Sequence, residues 1–211
     1  MKRVRVKGTG PDRKLLKTFY KLGEVCPETI KELNSIYGDD FKSDIGTEEY
    51  SITNQIDYRK THNADPEKYR QILLQAKEDD ISDEDETSYS KWKVNEYPLG
   101  NTMGNVFTHF EKVCRFRLSE MKSHHEIIWH IDTNTSVMCR GQICLNENDS
   151  IFEFKTKDGI EQLKMLPGEI WFVNTGYLHR VVSGDVTRRV AVFSFHFDNI
   201  INKSVLLINT I

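Results

Sequence analysis

The residues best suited to chemistry stand close together in "EIIWHIDTNT" (126–135), where His130 and Asp132 are two positions apart behind a run of apolar side chains. In an extended strand, residues i and i+2 point to one face, so both side chains are directed to the same side of a sheet. A carboxylate turned inward is costly to desolvate unless something positive meets it. Two imidazoles and one carboxylate with open positions suit a non-haem ferrous ion that activates oxygen. His130 and Asp132 supply two of those three ligands, and the third has to come from another strand.

The remaining histidines are His62, His109, His124, His125, His179 and His196. His179 is the strongest of them: it follows "PGEIWFVNTGYL" and opens "HRVVSG", at a strand start just after the reversal at Thr175–Gly176. Ten residues later Arg189 precedes "VAVFSFHF". A guanidinium at the base of an apolar strand needs an anion, and its rigid fork fits a carboxylate bidentately. Each feature alone has a plainer explanation. The H-x-D pair would also serve as a hydrogen-bonded core pair, His179 as a structural histidine, and Arg189 as half of a surface ion pair beside Arg188. Their order, spacing and strand context together favour the metal. His124 and His125 read as an exposed turn, His196 as structural, and Trp129 and Trp171 as core; Arg115 and Arg117 share one strand face, directed to a pocket or to a salt bridge.

The elements that must position these residues fall into two textures. From residue 114 onward, "CRFRLSEM", "HEIIWHID", "VMCRGQICL", "SIFEFKT", "IEQLKML", "EIWFVN", "HRVVSG" and "RRVAVFSFHF" are short, rich in β-branched and aromatic residues, and separated by turn formers. Strands this closely spaced indicate an antiparallel sandwich or barrel, with a double-sheet jelly roll matching their number. The first half reads as helical over 11–25, 27–38, 64–78 and 105–113, from apolar stripes such as Leu15, Phe19 and Leu22. The acidic stretch "KEDDISDEDETSYS" (77–90) lacks the spacing of a calcium loop and reads as a solvated loop. The expected organisation is a single α+β domain over 1–211: residues 1–113 mainly helical and packed on the barrel, residues 114–200 forming the jelly-roll core with the metal site.

Composition narrows the partners. Of 211 residues, 38% are hydrophobic and 29% charged, as in ordinary globular proteins. The net charge of −3 gives no reason to expect nucleic acid or an anionic membrane as partner. No apolar run reaches the roughly 18–20 residues that span a bilayer. "MKRVRVKGTG" lacks the apolar stretch of a secretory signal, and its Val4 and Val6 suggest a short strand. Cys26, Cys114, Cys139 and Cys144 form no C-x-x-C pair and read as reduced thiols, which places the protein in the cytoplasm.

Residues 115–198 resemble the aspartyl/asparaginyl β-hydroxylase family, which includes proline cis-hydroxylases, among the Fe(II)/2-oxoglutarate-dependent oxygenases. The resemblance is carried by "RFRLSEM", "HID", "RGQICL", "MLPGEIWFVNTGYLHRVV" and "RRVAVFSFHFD". It implies a double-stranded β-helix, cupin-like in form, covered by the N-terminal helices. It implies Fe(2+) bound by His130, Asp132 and His179, with Arg189 holding the distal carboxylate of 2-oxoglutarate. Arg140 fits the arginine of a family R-x-H pattern and is expected to face the same pocket; the histidine of that pattern is replaced by Gln142, which donates a hydrogen bond but cannot become cationic. The implied reaction consumes O2 and 2-oxoglutarate, releases succinate and CO2, and hydroxylates a free amino acid or an amino-acid side chain of a protein or peptide. An intact Asp132 favours hydroxylation, or desaturation, over halogenation. The alternatives are a cupin-like metal-dependent isomerase or lyase, which needs no carboxylate clamp, and a non-catalytic jelly-roll binding module.

Overall fold

The computed structural model describes residues 8–37, 47–54, 86, 90–93 and 97–208. Eight antiparallel strands follow one another from residue 114: β5 (Cys114–Met121), β6 (Glu126–His130), β7 (Cys139–Cys144), β8 (Ile151–Thr156), β9 (Gly159–Leu163), β10 (Glu169–Val173), β11 (Leu178–Val182) and β12 (Arg188–Phe195). Each coincides with one of the eight segments expected from the sequence. They are preceded by β1 (Phe19–Glu24), helix α1 (Pro27–Asn34), β2 (Thr47–Ser51), β3 (Thr53–Asn54), β4 (Lys91–Trp92) and helix α2 (Gly100–Val106).

Apart from β3 and β4, which pair only with each other, the strands wind into two facing sheets, one of six strands in the order β1-β10-β7-β12-β5-β2 and one of four in the order β6-β11-β8-β9. This is a double-stranded β-helix, or jelly roll: from β5 onward consecutive strands, the β8–β9 hairpin excepted, cross from one sheet to the other, so residues far apart in sequence meet between the sheets. The tight β8–β9 hairpin turns through Asp158 into Gly159, whose φ of 130° is open to glycine but strained for other residues.

Two apolar cores lie on opposite faces of the larger sheet. Between the sheets, Met121, Phe152, Phe154, Val173, Val181, Val190 and Val192 form the inner core. On the outer face, Phe116, Phe172, Phe193 and Phe195 pack against Leu33, Leu99, Val106 and Phe110 of the preceding segments. β7 is buried along its whole length because both of its faces are covered.

The first half departs from its expected helices in instructive ways. Residues 11–25 form a short 3-10 turn at Arg13–Leu15 followed by strand β1, not a helix. The side chains of Leu15, Phe19 and Leu22 fit a helical stripe, but β1 adds to the open edge of β10, from Phe19 opposite Val173 to Glu24 opposite Glu169. Phe19 then joins the inner core while Tyr20 and Leu22 join the outer one. Completing the sheet edge outweighs a weak local helical pattern. The helix expected over 27–38 forms at Pro27–Asn34, started by proline. The one expected over 105–113 instead lies at Gly100–Val106, where the carboxylate of Glu32 on α1 accepts from the backbone and side chain of Thr102 and fixes the helix start. The helix expected over 64–78, the strand at Val4–Val6 and all of 77–90 except Glu86 and Ser90 lie outside the described residues. Among the described residues no helix is long and apolar enough to cross a membrane, and the four cysteines are unbonded, three of them buried.

Candidate metal centre and inner pocket

His130 ends β6 and His179 lies on β11, and the two are directly opposite one another in the antiparallel pairing of the smaller sheet. Their rings are 4.2 Å apart, centre to centre. Asp132 lies just beyond β6, held in place by its backbone N–H, which donates to the Thr175 carbonyl at 3.0 Å. One ligand atom from each of His130, Asp132 and His179 lies within 4.8 Å of the other two. The backbone therefore brings together three side chains that the sequence separates by almost fifty positions.

The imidazoles are oriented for the same task. Nδ1 of His130 is 2.7 Å from the carbonyl of Ile128, and Nδ1 of His179 is 2.9 Å from that of Tyr177. A proton on each Nδ1 satisfies these carbonyls and leaves each Nε2 with a lone pair, the arrangement that metal-binding imidazoles require. Nε2 of His130 lies 3.5 Å from Oδ1 of Asp132. His179 is only 2% exposed, stacked against Phe152 and Phe154. Burial lowers its pKa, keeping the ring neutral and able to coordinate. Asp132 and His130 remain partly open to solvent, so the face holding the three ligands is reachable from outside. Two imidazoles and a carboxylate on one side of a point, with the other side open, fit a ferrous ion and leave room for further ligands.

The inner face of the larger sheet continues the site. Alternation directs Arg140, Gln142 and Cys144 of β7, and Arg188, Val190, Val192 and Ser194 of β12, between the sheets. Arg188 is 5% exposed, and its Nη2 donates to Oε1 of Gln142 at 2.6 Å. Among the described residues no carboxylate lies within ion-pair distance of it, and burial lowers its pKa to about 10. Among the described residues this buried guanidinium has a neutral partner, Gln142, and no anion, so it favours an anionic ligand.

Arg189 is where expectation and structure part. Its side chain leaves the opposite face of β12, is 40% exposed, pairs with Glu120 through Nε at 2.6 Å and lies over the ring of Tyr37 at 4.9 Å. It cannot reach the space between the sheets, because neighbouring residues of a strand point to opposite sides. Arg188 occupies the inward position expected of Arg189. Arg140 and Gln142 are both inward. Nε of Arg140 lies 3.9 Å from Oδ2 of Asp132, so this arginine borders the metal-binding face.

Two residues of the site carry no signal in the sequence. Ser194 lies on β12 opposite Arg140, and Glu86, 5% exposed, is ion-paired with Arg140 and with Arg115. Nothing local singles out Glu86 among the many acids of its segment. The histidines set aside lie elsewhere: His109 meets Phe110 of the outer core edge to face, and the largely exposed His124 faces Asp185 at 3.7 Å.

No protein-family model matches the chain, and a search of curated proteins finds no relative. Comparison with solved structures does find similar folds. A 2OG-Fe(II) oxygenase family oxidoreductase from Burkholderia pseudomallei superposes with a TM-score of 0.52 at 12% identity, over 88% of this chain and 87% of that one. A prolyl-4-hydroxylase from Pseudomonas putida matches with a TM-score of 0.49 at 12% identity, over 85% of this chain and 92% of that one. The first likeness establishes a shared jelly-roll fold; at such identity, residue roles have to be argued from the site itself.

Proposed function

We propose that this protein is an Fe(II)- and 2-oxoglutarate-dependent dioxygenase that hydroxylates an amino acid or an amino-acid side chain of a protein, releasing succinate and CO2. The observation that carries the reading is the pairing of the His130, Asp132 and His179 cluster with Arg188, a buried inward-facing guanidinium that has no carboxylate partner among the described residues. A metal centre alone would serve many reactions. A buried cation beside it asks for a ligand that is itself anionic at its far end. The similar fold of a 2OG-Fe(II) oxygenase family member supports this choice.

In this reading His130, Asp132 and His179 hold the metal and Arg188 takes the distal carboxylate of 2-oxoglutarate. When bound, the iron supplies oxygen activation coupled to oxidative decarboxylation of 2-oxoglutarate. The chain's own residues do the rest. Gln142 accepts from Arg188 through Oε1, which leaves its Nε2 hydrogens to donate to the same carboxylate. Val190 and Val192 flank these groups and keep water from the guanidinium, which strengthens its hold on an anion. The carbonyls of Ile128 and Tyr177 keep both imidazoles in the coordinating tautomer. Placing the clamp on Arg188 replaces the expected role of Arg189. An isomerase or lyase on the same fold has no use for a buried arginine without a carboxylate partner among the described residues, and a binding module has no use for two imidazoles and a carboxylate gathered within 4.8 Å.

The test is anaerobic addition of Fe(II) and then 2-oxoglutarate to the apoprotein. A visible charge-transfer band is expected in the wild type and is expected to vanish in His179→Ala, with loss of stoichiometric iron. Iron retained undiminished by His179→Ala, or wild-type protein giving neither the band nor succinate in air, would overturn the reading.

A further inference from the structure

A second charged cluster lies behind the metal ligands. The carboxylate of Glu86 is clasped by both terminal nitrogens of Arg140, with Nη2 to Oε1 at 2.7 Å and Nη1 to Oε2. Nη1 of Arg115 donates to the same Oε1 at 2.6 Å, and the hydroxyl of Ser194 donates to Oε2. All of these groups are buried or nearly so. Burial alone would raise the pKa of Glu86, but the two guanidiniums hold it well below the usual carboxylate range, so the residue is an anion.

The backbone goes out of its way to assemble this cluster. Between β5 and β12 the register shifts, with Val192 opposite Arg117 but Ser194 opposite Cys114, so that β5 carries one extra residue. Arg115, within that bulge, has φ of 45°, a left-handed conformation unfavourable for a residue with a bulky side chain. Bulges re-aim side chains beside functional sites, and here the strain delivers Arg115 to Glu86.

The consequence lies on the other edge of Arg140. With both terminal nitrogens held by Glu86, the guanidinium turns its Nε edge toward Asp132, whose Oδ2 is 3.9 Å away. That is near enough to orient the carboxylate electrostatically and too far to bond it. Were the terminal nitrogens released, the same fork would be free to close on Asp132 bidentately and compete with a metal for its oxygens. A second effect has the same sign, since Glu86 offsets one of two buried positive charges that would otherwise repel a dication.

We propose that Glu86 is a positioning residue for the metal centre: it holds Arg140 off Asp132 and so keeps that carboxylate available to the ion. The inference rests on the reading of His130, Asp132 and His179 as metal ligands and extends it to a residue more than forty positions upstream. Partners that orient metal ligands typically change metal affinity by about 10- to 100-fold when removed.

The test is titration of apoprotein with Co(II), a redox-stable probe, in the wild type and in His179→Ala, Glu86→Gln and Glu86→Ala, with melting of each apoprotein as the control for folding. Glu86→Gln keeps the shape and removes the charge, and is expected to bind Co(II) about tenfold more weakly or worse. In Glu86→Ala the vacated two-arginine pocket is expected to accept formate, so that millimolar formate restores Co(II) affinity there while leaving the wild type unaffected. A purely structural role predicts no such rescue. Folded Glu86→Gln binding Co(II) as tightly as the wild type overturns the inference, with or without a foldable Glu86→Ala, while the loss in His179→Ala leaves the metal assignment standing. Equal binding by wild type and His179→Ala overturns both.

Discussion

The two faces of the larger sheet are built from the same strands and do opposite work. Outward, β7, β10 and β12 present Ile143, Phe172, Ala191, Phe193 and Phe195, which interlock with one another and with Phe110 and Phe116. Inward, the same β7 and β12 present Arg140, Gln142, Arg188 and Ser194, all buried, interleaved with the apolar Cys144, Val190 and Val192. The outer face contributes stability through close aromatic packing. The inner face is costly to fold, because it desolvates guanidiniums whose anions are few. The adjacent pair Arg188 and Arg189 shows the division at its sharpest: identical in type and one peptide apart, one is buried against Gln142 and the other ends in a half-exposed ion pair with Glu120. A sheet packed hard on one side is what allows the other to hold groups that do not favour folding.

Breaking the outer face should show this first. Phe193→Ala removes a fully buried ring that contacts Phe110 and Phe116, and about 3–5 kcal/mol of unfolding free energy should be lost. Denaturant melts measure it, and metal binding by the fraction still folded should be near normal. The inner face should answer in the opposite way. Arg188→Met is expected to leave the apoprotein as stable as before or more so, since a buried cation with no carboxylate partner among the described residues is gone, while weakening anaerobic 2-oxoglutarate binding by about 3 kcal/mol, roughly a hundredfold. Arg189→Met, the control, should cost under about 1 kcal/mol of stability and leave 2-oxoglutarate binding unchanged. Reversal of these two results would return the clamp to Arg189. The finest probe is Gly141, which lies between Arg140 and Gln142 with its missing side chain toward the outer face; a Cβ there would come within 2.2 Å of the Phe193 ring. Gly141→Ala should cost about 1–3 kcal/mol and, by shifting β7, lower metal and 2-oxoglutarate affinity together, a coupling that calorimetry on the folded variant would show.

Much of this organisation is legible in the amino-acid sequence. Alternation, β-branched and aromatic content and the turn residues between them mark the eight core strands, because these signals are local. Local patterns also explain the failures. The stripe Leu15, Phe19 and Leu22 is as compatible with a strand covered on both faces as with a helix, and only the free edge of β10 decides between them. The start of α2 depends on Glu32, almost seventy residues upstream, which no window of sequence around residue 100 contains.

What the sequence determined by itself, then, is the kind of chemistry on offer: an H-x-D pair, a later histidine and arginines in β-forming context, in an order that carries a family resemblance. Which arginine faces inward was decided only by the tertiary structure. Counting residues from His179 cannot predict the side on which β12 begins, since the turn between β11 and β12 sets its register and a shift of one residue exchanges the two faces. The same holds for Glu86, an unremarkable acid in an acidic stretch until the β5 bulge brings Arg115, and the pairing of β7 with β12 brings Arg140 and Ser194, around its carboxylate. Side-chain identity is written in the chain, but the desolvation and opposing charge that give a side chain its role come from residues distant in sequence, and only folding puts them in contact.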